Sequence, residues 1–236
     1  MSKLASDLSD SCGDAIVTLP TVAVQTPGPG GGEADFPTGI TRLAGASRYE
    51  TAVEVSKTYA PGVADVFVAT GADFPDALSG AAAAALLGGP LLLTTRTSVP
   101  ETVLAELNRL DPALIYVLGG TGVVSASVEG QLKTIAPVQR FGGANRYETG
   151  LSVTNGLFVS SANAIIATGR NFPDALAATG AAGLLRAPVI LLDGSQSSVP
   201  AEVLNSLRRM GVTNVTIAGG TGVVSAAIST SLSGAG

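Results

Sequence analysis

The chain has 236 residues, of which 46% are hydrophobic and only 4% aromatic, with 30 glycines, no His and a net charge of −5. That supplies apolar material for one large domain or two ordinary ones, packed through small side chains. A single cysteine, Cys12, and the lack of His exclude a disulfide framework, a soft-metal site and any Ser-His or Cys-His nucleophile pair.

In chain order, residues 1–40 come first, with one lysine against five acids. They lack the basic end and apolar run of a signal peptide, so a conventional leader is not expected. "DAIVTLPTVAV" (Asp14–Val24) alternates enough for a strand, and "TPGPGGGEADFPTG" reads as a linker. Together they suggest an attachment arm. "RLAGASRYETA" from Arg42 then opens a pattern of elements. Ser47 and Glu50 form a capping box for a helix over "AVEVSKTYA". "DVFVATG" is a strand, "DALSGAAAAALLG" a helix, "PLLLTT" a strand, "ETVLAELNRL" a helix, "LIYVLGG" a strand and "SASVEGQLKTI" a short helix. The uncharged run Ala77–Thr95 is long enough to suggest a membrane span. It is broken by "GGP", and its later counterpart carries Arg186, so it reads as helix plus strand.

The pattern then repeats. "RFGGANRYETG" starts at Arg140, and "AIIATGRNFPDALAATGAAGLLRAPVIL" follows its own earlier version at an offset of 98. After a two-residue insertion near "DGSQ" the offset becomes 100. The domains predicted are residues 41–138 and 139–236, preceded by the arm. Apolar strands alternating with helices predict an α/β fold of two tandem units, each a small parallel sheet flanked by helices in flavodoxin- or Rossmann-like layering.

Several repeated residues have two readings. Arg48 and Arg146 sit in a helix first turn, where the dipole disfavours them; they are either structural partners or ligand contacts. Asp73 and Asn171 are expected to cap the next helix, with Asp76 and Asp174 suiting its dipole. These acids also lie at the carboxyl end of a strand, where open α/β sheets place ligands. Ser98 begins a third capping box. "GGTGVVS" at Gly119 and Gly219 lacks the lysine of a phosphate loop and reads as a tight turn. No matched catalytic acids stand out, and no cofactor or metal is implied.

The combination R-[LF]-x-G-x-[SN]-R-Y-E-T, "ATG..FPDAL", P-[LV]-[IL]-L ahead of an "SVP" helix start, and a closing "GG" loop resembles the cell wall binding repeat 2 family over nearly all of residues 41–232. The resemblance implies a non-catalytic, extracellular module on a bacterial surface. It further implies noncovalent binding of an anionic cell-wall polymer of Gram-positive bacteria, and repeats usually grouped by three into a pseudo-trimer. With two copies and a mean hydropathy of +0.42, a homo-oligomer is expected, a trimer foremost. The alternative expectation is a phage virion decoration or tail protein docked by residues 1–40. The first copy holds six basic and nine acidic residues, the second six and four. Anion binding must therefore be local, through Arg42, Arg48, Arg140, Arg146 and Arg170 beside Asp76 and Asp174. No basic stripe with interleaved aromatics points to nucleic acid.

Overall fold

A computed structural model describes residues 39–233; the expected strand Asp14–Val24 and most of the linker lie outside them. The elements are α1 (Arg48–Ser56), β1 (Asp65–Thr70), α2 (Pro75–Leu87), β2 (Leu91–Thr94), α3 (Glu101–Leu110), β3 (Leu114–Leu118), α4 (Ala126–Leu132) and β4 (Val138–Phe141). The second series is α5 (Arg146–Leu157), β5 (Asn163–Thr168), α6 (Pro173–Leu185), β6 (Val189–Leu192), α7 (Ala201–Met210), β7 (Asn214–Ala218) and α8 (Ala226–Ser233). The strands form two parallel sheets in the orders β2-β1-β3-β4 and β6-β5-β7. The expected α/β class, with two small parallel sheets flanked by helices, is what the chain adopts.

Side-chain alternation divides the first sheet between two cores. Val66, Val68, Ile115 and Val117 face Val53 of α1, Leu107 of α3 and Leu132 of α4. Phe67, Ala69, Tyr116 and Leu118 face the other way, into a core shared with the second unit. There Phe67 stacks on Tyr116 at 5.0 Å, and Tyr116 on Phe141 at 5.7 Å between centroids. Helix α2 lies between the units, packing on β1, α5 and α6. Its small residues allow this: a methyl group at Gly80 would lie 2.0 Å from Leu118 Cδ1.

Strand β4 was not anticipated. Its residues open the second repeated phrase, yet they pair with β3 of the first sheet, from Ile115↔Val138 to Leu118↔Phe141. The counterpart segment at the head of the first copy, residues 40–43, joins no strand, and Ile40 is fully exposed. Three expected caps also differ. Phe74, Phe172 and Pro100, not Asp73, Asn171 and Ser98, occupy the N-cap positions of α2, α6 and α3, and none of these helices has a side-chain cap. Pro75 at the first helical position draws the helix start past Asp73, whose Oδ1 accepts only from the Phe74 N–H. Ser98 is held in a local turn with Thr95.

Candidate clefts at the carboxyl ends of the strands

Most of the repeated phrase is a clasp between a helix start and a strand end. Ser47 accepts from the Glu50 N–H, and Glu50 returns a bond to the Ser47 N–H at 2.9 Å. In the second copy Asn145 accepts from the Tyr147 and Glu148 N–H groups. Glu148 there reaches Ala144 N–H at 2.9 Å instead of the cap's own N–H. Thr51 and Thr149 accept the N–H of Gly45 and Gly143. A methyl group at Gly45 would lie 2.2 Å from Glu50 Cβ, and at Gly143 2.3 Å from Glu148 Cβ. Arg48 Nη1 donates to the Gly71 carbonyl at 2.5 Å, and Arg146 Nη1 to the Gly169 carbonyl at 2.9 Å. Tyr49 and Tyr147 cover those same two glycines. Every named residue of G-x-[SN]-R-Y-E-T thus takes part in the clasp.

Arg146 does more than its twin. Its Nη2 lies 3.3 Å from Asp73 Oδ2 of the first copy, and its guanidinium sits over the Phe74 ring at 5.8 Å. Phe74 in turn meets Phe172 at 5.2 Å. The second copy's arginine therefore reaches across the joint to the α2 start of the first. Arg140 is turned inward: Nε donates to Glu129 at 2.8 Å and Nη1 to the Gly119 carbonyl at 2.7 Å. Bonds from Lys133 and Arg140 hold the Glu129 carboxyl below its ordinary value.

Around Arg146 lies a cleft of about 430 Å³, lined by Thr70, Asp73, Asp76, Thr121, Arg146 and Thr149 among others. The first copy supplies the strand ends and the Gly120–Val123 loop, and the second supplies Gly143–Arg146 and Thr149. Asp76 is buried at its base against Gly119, whose φ of +114° suits only glycine. Burial, with Asp73 adding, pushes the Asp76 carboxyl up, while Arg146 opposes the shift. Hydroxyls, backbone groups and one arginine between two acids suit hydrogen bonding to a polar, oxygen-rich ligand.

A second cleft of about 470 Å³ occupies the same place in the second unit, lined by Thr168, Arg170, Asn171, Ser195, Thr221 and Ser225 among others. Arg170 replaces Ala72 and Asn171 replaces Asp73, so this cleft gains a positive charge and loses a negative one. Arg170 lies 3.6 Å from Asp193. Bonds from the Ser195 hydroxyl and N–H hold the Asp193 carboxyl low, and Arg170 adds to this. Asp174 stands against Gly219 as Asp76 does against Gly119.

Of the residues singled out in the sequence, Asp76 and Arg146 thus meet in the first cleft, and Arg170 lines the second. Arg140 is engaged within the first unit. Arg48 is clasped to the strand end of its own unit through the Gly71 carbonyl, Arg42 is exposed, and neither lines the two clefts. Thr70 and Thr168 at the strand ends line the two clefts and Phe74 lies beneath Arg146; their signal in the sequence is the repeated "ATG" and "FPDAL". Among the described residues no His, Cys, Asp and Glu cluster could hold a metal, and no helix is long and apolar enough to cross a membrane.

A family model described as cell wall binding domain 2 matches residues 42–129 and 140–229. The chain is 27% identical over 187 residues to the N-acetylmuramoyl-L-alanine amidase LytC of Bacillus subtilis, covering 79% of this chain and 37% of LytC. It is 34% identical over 152 residues to the amidase enhancer of the same organism, covering 64% of this chain and 21% of that protein. Among solved structures, Cwp6 and Cwp8 from Clostridium difficile superpose with TM-scores of 0.75 and 0.73 at 29% and 30% identity. These matches cover 86% and 82% of this chain, and 34% and 33% of theirs. The chain thus spans less than two-fifths of each of these relatives.

Proposed function

The chain belongs to the cell wall binding domain 2 family, and from that premise we propose that it is a non-catalytic adhesion module at the bacterial cell surface. It holds an anionic cell-wall polymer in the clefts at the carboxyl ends of its strands. The observation that carries this reading is Arg146, fixed by the Gly169 carbonyl and Asp73 at the mouth of a cleft built by both copies. A guanidinium held in place by backbone loses little side-chain freedom when a carboxylate or phosphate arrives. Arg170, more exposed and set beside Asn171, offers the more cationic second contact. Asp76 shapes the floor of the first cleft, and its counterpart Asp174 stands against Gly219 in the second unit. With no His and with Asp73 replaced by Asn171 in the second copy, the clefts share no acid–base pair suited to hydrolysis.

Co-sedimentation with purified Gram-positive walls, before and after the secondary polymer is stripped, tests the reading. Binding should fall on stripping and weaken with salt, as screening reduces a charge contact. Undiminished binding to stripped walls would overturn the polymer assignment. Incubation with intact walls should release no soluble sugar or peptide, and sustained release would overturn the non-catalytic assignment.

A further inference from the structure

The first cleft holds a buried charge that the protein itself leaves unanswered. Asp76 is 8% exposed and lines the cleft, yet among the described residues no hydrogen bond reaches its carboxylate. A buried carboxylate is costly unless something donates to it. The cleft's arginine does not. Arg146 gives Nη1 to the Gly169 carbonyl and Nη2 to Asp73, with Phe74 beneath. Arg146 and Asp73 offset each other, so the charge left over is that of Asp76. Its neighbours suit a polar guest as well. The buried hydroxyls of Thr70 and Thr149 accept from the Ala72 and Gly143 N–H groups, and each keeps a proton to donate.

We propose that this cleft selects an amine-bearing sugar unit of the wall polymer, seating the ammonium group on Asp76 and ring hydroxyls on Thr70 and Thr149. The inference rests on the adhesion function above and deepens it, naming the unit that the first cleft takes from an otherwise anionic polymer. An ammonium group supplies both the charge and the hydrogen bonds that Asp76 lacks, whereas a neutral hydroxyl supplies one bond and no charge. A divalent metal fits less well. It asks for several oxygen ligands, but Asp73 is engaged by Arg146, and no metal-binding cluster of acids gathers among the described residues. The volume of about 430 Å³ is in the range that small ligands occupy. The second cleft lacks this device. Arg170 and Asn171 stand where the first has Ala72 and Asp73, and Arg170 is the charged residue among those lining it. The ammonium is thus left to Asp76, and the polymer's anionic groups to Arg146 at the mouth and to Arg170.

Nuclear magnetic resonance titration of the full chain with methyl glucosaminide, its N-acetylated form and methyl glucoside tests the selection without any wall. The amine should move amide signals around the first cleft, Gly120 and Thr121 among them. It should bind about tenfold more tightly than either neutral sugar, as a charge-assisted bond implies. Asp76→Asn sheds a buried charge, so the fold should hold, and the three sugars should then bind alike. Equal affinities in the wild type, or a preference that survives Asp76→Asn, would overturn the inference. So would shifts confined to other surfaces, or cleft signals that stay still up to the solubility of the amine. Native walls provide the separate check. An amine preference in a chain that ignores native walls would count against the adhesion function alone. Native walls bound without any amine preference would count against this inference alone.

Discussion

At the residue scale, repeated glycine and repeated arginine serve the same clasp through different contacts. Gly45 and Gly143 lie so close beneath the following helix that any side chain must push Glu50 or Glu148 away. Gly143→Ala should therefore cost more than about 2 kcal/mol, because the obstructing atoms include helix backbone. A denaturant titration showing a loss under half of that would contradict the fit. Arg146 has two duties, and they separate by measurement. Removing a partly exposed arginine that donates to a carbonyl and an aspartate should cost about 1 kcal/mol, while wall binding per folded Arg146→Ala molecule should fall several-fold. Unchanged binding would leave the side chain only its structural role. Asp76 gives a pH signature. Its carboxyl titrates above the ordinary range because of burial, so its ionised form is the disfavoured one in the folded protein. Wild-type stability relative to Asp76→Asn should rise as pH falls through that raised value, and the variant should melt higher at neutral pH. A gap that does not narrow on acidification would mean that the carboxylate is favourably held.

At the element scale, β4 shows what was readable and what was not. β1, β3 and β5 announce themselves as near-continuous apolar runs, since both their faces are covered. The capping box at Ser47 is legible because its bonds are local. "VQRF" carries no such signal: it is short, half polar and lies at the border between the copies. Its pairing depends on β3, twenty residues back, so only tertiary structure reveals it. The same reason hid the first cleft, whose two walls come from different copies. Clasp residues such as Arg48 were legible as repeated and illegible as to purpose, because their carbonyl partners lie 23 positions away. β4 also seats a helix, since Gly156 of α5 rests on the Phe141 ring, 2.2 Å from where a methyl group would begin. Phe141→Ala should consequently loosen both sheet and joint, at about 3–5 kcal/mol. A cost near that of an exposed substitution would show that the aromatic ladder contributes little.

At the scale of the whole molecule, the shared core decides how the two copies unfold. The cluster that begins at Phe67 and Tyr116 in the first sheet continues without a break through Val153 and Phe158 to Ile166 and Leu191 in the second unit. Separating the units would expose α2, whose Leu78, Ala82 and Ala83 are buried, and would strip β4 of either its sheet or its helix. The separated state should therefore be poorly populated, and unfolding should be a single transition despite the duplicated sequence. Calorimetric and van't Hoff enthalpies should agree for the described region taken as one unit. Gly150 offers the means to break this coupling. It faces Ser79 across the joint, and a methyl group there would lie 2.7 Å from the Ser79 hydroxyl. Gly150→Leu wedges the joint while leaving both sheets their own hydrogen bonds. It should split the melt into two transitions, with the second unit, whose α6 is already bare on one face, unfolding first. Two transitions in the unmodified chain would show that each copy folds alone. A single lowered transition in the variant would show that neither copy stands without the other.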